Sequence, residues 1–285
     1  MKERTSGAFY TRAMSSDYAF NPPPGGIEDR PNSAAGRVLM GGPVALVTTT
    51  WRGKSNIIPI SWHMPVSSKP SIVAIALGES RYSTEMVKHA QQFAINIPAR
   101  PLLHHVQYLG TLSGEHVDKF EATQLASFAS QTITAPLIVG CCAWIECQVV
   151  EAFPIGDHLL VAGLVTAVRV DPASFDDRWL VGEPETRALH FLAGNNYSTL
   201  NGVLEARVPR SAEAPERILR EGIAEELELT REARERREEA VGELREEIRR
   251  GHAVDPASLD DLARRGIEVS AADLVDLSKG IVLGE

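Results

Sequence analysis

Two long apolar runs, "LIVGCCAWIECQVVEAF" (137–153) and "DHLLVAGLVTAVRV" (157–170), are separated only by "PIG". Runs this rich in Val, Ile and Leu, joined by so tight a turn, read as paired antiparallel strands. Strands of the same kind recur upstream. "PVALVTTT" (43–50), "SIVAIAL" (71–77) and "FAINI" (93–97) are apolar and partly β-branched, and "WRGKS" after the first reads as a hairpin turn. Between them "STEMVKHAQQ" (83–92) reads as a short helix, and residues 101–128 as helical or irregular. Several strands, tight turns and few helices predict a mainly β fold with helices, closed into a small barrel. Gly140 and Gly163 suit the sharp bends of such a barrel.

The stretch "NIIPISWHMPVSSKP" (56–70) fits that scheme with one anomaly. Its period of two predicts a single strand with Ile58, Ile60, Trp62, Met64 and Val66 on a core face. The opposite face carries Ile57, Pro59, Ser61, His63 and Pro65. Proline donates no backbone N–H, so Pro59 does not belong in a fully paired central strand. A strand left partly unpaired can turn its backbone to a ligand, and the small Ser61 lets a flat ring come close. On this reading Trp62 anchors the strand in the core, and His63 either faces the ligand or bonds a carbonyl.

The segment "GESRYSTEMVKH" (78–89) places Ser80, Arg81, Ser83 and Thr84 where a helix begins. Free N–H groups and the helix dipole favour an anion there, hydroxyls add donors, and a guanidinium matches phosphate. The alternative is a Ser83 cap with Arg81 as a surface charge.

The totals narrow the class. A net charge of −9 disfavours nucleic-acid binding, and no apolar run reaches the roughly 18 residues of a membrane span. The opening residues lack a signal peptide's apolar segment, so a cytoplasmic location is expected. Cys141, Cys142 and Cys147 share one apolar run and read as small core residues, not redox groups. No zinc-type spacing accompanies them, and no metal site is expected.

Three regions separate by composition: an arm (1–36), a core domain (37–205) and a charged helical extension (206–285). The arm, "NPPPGGIEDRPNSAAG", is too Gly/Pro-rich for regular structure, and is either a tail or a cover over a partner subunit. The extension carries Leu219, Ile223, Leu227, Val241, Leu244 and Ile248 at helical spacing, predicting one or two amphipathic helices. "TREARERREE" within it lacks an apolar face and would rely on i,i+4 charge pairs. Gly251 would end it, and Asp255 would cap a further helix from Pro256 to Gly266. Ser270, with Asp273 three residues on, repeats the capping logic. The extension reads as a surface for dimer contacts rather than for chemistry.

In order along the chain, "PVALVTT", "NIIPISWHMPVSSKP", "SRYST", "FAINIP", "GDHLLVAGLV" and "LAGNNYSTL" resemble the flavin reductase-like, flavoredoxin family over about residues 40–202. The resemblance implies an FMN-binding split β-barrel with the C-terminal helical extension outside it. It implies FMN phosphate held by Ser80, Arg81, Ser83 and Thr84. Thr48, Thr49, Asn56, Ser61, Trp62 and His63 would line the ring and ribityl chain. Asp157 and His158 match a motif tied to nicotinamide binding, which makes His158 the candidate catalytic contact to the dinucleotide. Asn195 and Tyr197 would close over the flavin. The signature arginine is Asn196 here and a preceding glycine is Ala193. These departures leave the electron donor and acceptor open.

The implied activity is reduction of FMN by NADH or NADPH, with electrons passed to oxygen, a monooxygenase partner or another acceptor. The alternative is a non-catalytic flavin-binding carrier docking to redox partner proteins. The family also implies a homodimer with flavin near the subunit interface.

Overall fold

A computed structural model describes residues 30–204, 215–251, 254–267, 269 and 273. Residues 1–29 of the arm, Leu219's side chain and the Ser270 cap lie outside the described residues. The described end of the arm is more regular than its composition predicts. A 3-10 turn (Asn32–Ala34) runs into a single helical turn, α1 (Ala35–Val38).

The strands follow in chain order: β1 (Ala45–Trp51), β2 (Lys54–Ile60), β3 (His63–Ser68), β4 (Ser71–Gly78) and β5 (Gln92–Pro98). After two short strands, β6 (Ser127–Phe128) and β7 (Leu137–Ile138), come the long β8 (Cys141–Ile155) and β9 (His158–Val170). Seven of these form one antiparallel sheet in the order β2-β1-β5-β8-β9-β4-β3. β2 and β3 are its two edges, yet only Ser61 and Trp62 separate them in the chain. A flat seven-stranded sheet would hold its edges about 29 Å apart, at about 4.8 Å per spacing. The three peptide steps from Ile60 to His63 span at most about 11 Å. The sheet must therefore curl until its edges adjoin, which is the closed barrel the sequence predicts.

The crossing corrects the reading of 56–70 as one strand. Parity resets at Ser61–Trp62, so only Ile58 and Ile60 of the expected core face pack on the barrel core. Trp62, Met64 and Val66 are 44%, 53% and 54% exposed. On β2 the opposite face is covered as well. Ile57 is fully buried against Leu46, Val106 and Leu109, beneath helix α3 defined below.

Inside the barrel Val47, Ile75, Leu77, Phe93, Ile95 and Val161 form the main core. Gly163 permits this packing, since a Cβ there would stand 2.6 Å from the Phe93 ring. Cys141, Cys142 and Cys147 are buried free thiols, and burial pushes the Cys147 thiol up to about 12. Glu146 is buried in the same strand but is fully paired. It accepts from the Gln131 and Thr132 amides, the Thr132 hydroxyl and, at 2.8 Å, Arg169 Nη2. Those bonds overcome desolvation and hold its carboxyl at about 2.

Three short helices and two small ladders complete the domain. Helix α2 (Tyr82–Ala90) ends where Gln91 turns left-handed at φ 55°, two residues before the expected end. Helix α3 (Leu103–Thr111) covers β2, and α4 (Lys119–Thr123) follows, capped by Asp118. Beyond β9 lie two small ladders, β10–β11 (Phe175–Asp176 with Arg178–Trp179) and β12–β13 (His190–Ala193 with Asn196–Ser198).

The extension holds one helix, α5 (Pro215–Arg249), and then α6 (Pro256–Arg264), whose Asp255 cap accepts from Ala257 N at 3.0 Å. Ala240 and Leu244 pack with Leu262 and Ile267 into a small core of their own. Towards the other end of α5, Ile223 and Leu227 are exposed. The solvated middle carries i,i+4 pairs, Arg234 with Glu238 at 2.8 Å among them.

Candidate functional site

The seam of the barrel opens into a cleft of about 730 Å³. Three segments wall it: residues 58–62 at the β2 end, 76–81 after β4, and Asp157–His158 at the β8–β9 turn. Backbone bonds lock the walls together. Glu79 N donates to Asp157 O at 2.9 Å, and Ala76 N to Trp62 O at 3.0 Å. Pro59 pairs with Leu46 of β1 on one side, while its other side is the sheet edge. At an edge the missing N–H costs little, and the backbone beside it faces the cleft.

A narrower extension of about 180 Å³ shares Ile58, Pro59, Ser80 and Arg81 with this cleft. It continues past Ser83 and Ser113 to Lys119. Arg81 is the residue at the N-terminal boundary of α2 and makes no side-chain cap. Thr84 N donates to Arg81 O at 2.9 Å, which leaves the Tyr82 and Ser83 N–H groups of the first turn to face an anion. Lys119 is only 3% exposed and donates to Leu109 O at 3.1 Å. Desolvation first, then repulsion from Arg81, lowers its ammonium to about 8. Among the described residues no carboxylate pairs with either cation. Two cations thus face one small polar cleft without a counter-charge, an arrangement chemically suited to an anion.

Sequence reasoning missed Lys119. The available signal was local: "DKF" puts a lysine directly after the Asp118 cap, where the helix dipole disfavours a cation.

The structure distributes the expected site residues unevenly. Ser61, Trp62, Ser80, Arg81 and His158 line the main cleft, and Ser83 lines its narrow end. Trp62 is not the core anchor expected of it. Its ring packs against His158 with centroids 4.8 Å apart and planes tilted by 30°, and it also meets the chain at Gly36, where a Cβ would sit 2.9 Å from the indole. Asp157 accepts from or shares a proton with His158 Nδ1 at 2.7 Å, and this bond lowers the Asp157 carboxyl. With Nδ1 tied, the free polar atom of the ring is Nε2, which lies near Gly78.

The other candidates shape the site from behind. Asn56 is buried and donates to Ser83 Oγ at 2.7 Å, while a Cβ on Gly114 would stand 2.2 Å from its Oδ1. Thr84 Oγ1 donates to Gly78 O at 2.7 Å and fixes the 78–81 turn. His63 takes the carbonyl option, bonding Pro43 O at 2.7 Å. Thr48 and Thr49 do not reach the cleft. Their buried hydroxyls donate to Pro136 O and Gln92 O, because β1 lies inside the sheet with β2 beyond it. Asn195 and Tyr197 are brought together by Gln107 of α3, outside the main cleft.

Known proteins share this fold. Residues 36–190, just over half of the chain, match the family model of the flavin reductase like domain. An uncharacterized protein of Archaeoglobus fulgidus is 32% identical over 149 residues, 51% of this chain and 81% of the relative. An NADH:FMN oxidoreductase of Rhodococcus erythropolis is 29% identical over 106 residues, 37% of this chain and 53% of that enzyme. Among solved structures, an FMN-binding protein from Thermus thermophilus with bound p-hydroxybenzaldehyde has a TM-score of 0.54 at 24% identity. It covers 68% of this chain and 100% of its own. Flavoredoxin from Methanosarcina acetivorans has a TM-score of 0.53 at 23% identity, covering 61% of this chain and 92% of its own. The family model spans more than half of the chain, and the chain belongs to the flavin reductase-like family.

Proposed function

We propose that this chain binds FMN and reduces it with NADH or NADPH, passing the electrons to oxygen, a monooxygenase partner or another acceptor. The observation that carries the reading is the Arg81–Lys119 anion site opening directly into the seam cleft. A phosphate there, bonded by Ser80 and Ser83, would supply the counter-charge that the two cations lack. The edge strand from Ile58 to Ser61 offers a narrow wall suited to a flat ring. When bound, FMN supplies the redox chemistry, accepting and releasing a hydride. The protein's residues do the rest. Arg81 and Lys119 fix the charged end. The tilted Trp62–His158 pair limits how a second planar ring enters, and His158 Nε2 is the candidate contact to a nicotinamide amide. Hydride transfer needs no acid–base pair, consistent with a cleft built for position. The relative described as an NADH:FMN oxidoreductase supports this reading.

Purified protein titrated with FMN and riboflavin tests it. FMN binding with flavin absorbance is expected, and Arg81→Ala should weaken FMN at least tenfold while changing riboflavin little. No uptake of FMN, or equal losses for both, would refute the assignment. Steady-state NADH and NADPH oxidation with added FMN then identifies the donor.

A second reading, a flavin carrier without turnover, is favoured by the exposed Ile223 and Leu227 of α5, one turn apart, which offer a redox partner an apolar face. Tight stoichiometric FMN without dinucleotide oxidation would select it. A homodimer is proposed from the exposed Val150, Phe153, Ile155 and Val168 of the β8–β9 hairpin, and sedimentation of the FMN-loaded protein tests that. No helix among the described residues is long and apolar enough to cross a membrane.

A further inference from the structure

A second cavity, of about 300 Å³, lies between the β2 end, α3 and the β12–β13 hairpin. It shares Pro59, Ile60 and Ser61 with the main cleft but is otherwise separately walled. None of its lining residues carries a charge, whereas Glu79, Arg81 and Asp157 line the main cleft. Val44 and Val106 give it apolar walls, and Phe191 meets Tyr197 edge-on with centroids 5.3 Å apart. Its size lies at the small end of ligand pockets and suits a single ring with one substituent.

Gln107 is the polar centre of this cavity. Its Oε1 accepts from Tyr197 OH at 2.7 Å, and its Nε2 donates to Asn195 Oδ1 at 2.9 Å. A primary amide has two N–H donors and an oxygen with two lone pairs. One N–H and one lone pair of Gln107 thus stay available, enough for a neutral donor–acceptor guest. The same two bonds pin the closing hairpin to α3.

We propose that this cavity binds a small, planar, uncharged molecule bearing an amide or carbonyl group, with Gln107 selecting for neutrality. The site does not depend on FMN occupying the main cleft. A charged guest would meet no counter-charge in an apolar wall, which is costly to binding.

The test is calorimetric titration of the full-length protein, with and without saturating FMN, using benzamide, benzoate and benzamidinium as a shape-matched series. Benzamide should bind one to one, at least tenfold tighter than either ion, and equally well with FMN present. Gln107→Glu, which keeps the shape and lets the Asn195 amide rotate to donate, should reverse the preference towards benzamidinium by tenfold or more. Tyr197→Phe, a milder change, should weaken benzamide several-fold. The proposal is overturned if no member binds, if the ions bind as well as benzamide, or if neither variant alters the ranking or affinity. Displacement of benzamide by FMN would overturn it differently, making the cavity part of the flavin groove. Failure of FMN to bind, with benzamide still held, would sink only the flavin reading.

Discussion

Replacing Lys119 with methionine should make the flavin-free protein more stable and the flavin complex weaker. The ammonium is 3% exposed and lowered from 10.5 to about 8. At about 1.36 kcal/mol per pH unit, keeping that charge buried at pH 7 costs the fold roughly 3 kcal/mol. Methionine fills similar space without the charge but removes one of the two bonds to Leu109 O, leaving the Leu112 N–H at 3.4 Å, a loss of about 1 kcal/mol. The net expectation is a gain of about 2 kcal/mol, read by urea unfolding at pH 7. The folded pKa lies below the unfolded one, so between about pH 8 and 10.5 the unfolded chain binds more protons. Wild-type stability should accordingly rise across that window relative to Lys119→Met, and the variant's advantage should vanish near its upper end. A charge-assisted bond to phosphate is worth about 1.5–3 kcal/mol, so FMN affinity should fall roughly 10- to 150-fold. Fluorescence titration should show riboflavin affinity nearly unchanged. In wild type, FMN affinity should decline above about pH 8, and in the variant it should not. A variant that is less stable at pH 7, or that loses both flavins equally, would refute the anion-site argument.

Three further outcomes are expected. Glu146→Gln should cost about 3 kcal/mol at pH 7, since its carboxyl falls from 4.5 to about 2 on folding. That contribution is present above about pH 4.5 and lost towards pH 2, so melts of the two proteins should converge over that range. Gly114→Ala must displace the Asn56 side chain and with it the bond to Ser83. It should destabilise by about 1–3 kcal/mol and weaken FMN more than riboflavin in the same titration. His158→Ala should raise the KM for NADH or NADPH severalfold while the Kd for FMN stays the same, which stopped-flow flavin reduction can separate.

What could be read in the sequence was whatever depends on neighbours in the chain. The strands, the Asp255 cap, the Gly251 and Gly266 stops and the buried thiols follow from local pattern, and the structure has them. The ordered motifs placed Ser80, Arg81, Ser83 and His158 around one cleft. Illegible were the features set by closure. Nothing in "NIIPISWHMPVSSKP" announces that the chain leaves one edge of the sheet at Ile60 and joins the other at His63. Trp62 therefore looked like core and is instead a half-exposed wall of the cleft, tilted against His158. Lys119 shares its cleft with Arg81 across about 40 residues, and Gln107 bonds Asn195 and Tyr197 across about 90, distances at which periodicity carries no information.

The two-residue crossing between β2 and β3 also has a kinetic meaning. Hairpins such as β1–β2 and β8–β9 need only short loops to close, whereas the seam needs the whole strand order in place before its walls meet. A ligand held in the seam therefore recognises the finished barrel and no partly assembled form. At a hundredfold excess over its Kd, such a ligand would add about 2.7 kcal/mol against unfolding. The cofactor groove would thus double as the latch of the fold, and slow loss of ligand would precede rather than follow global unfolding.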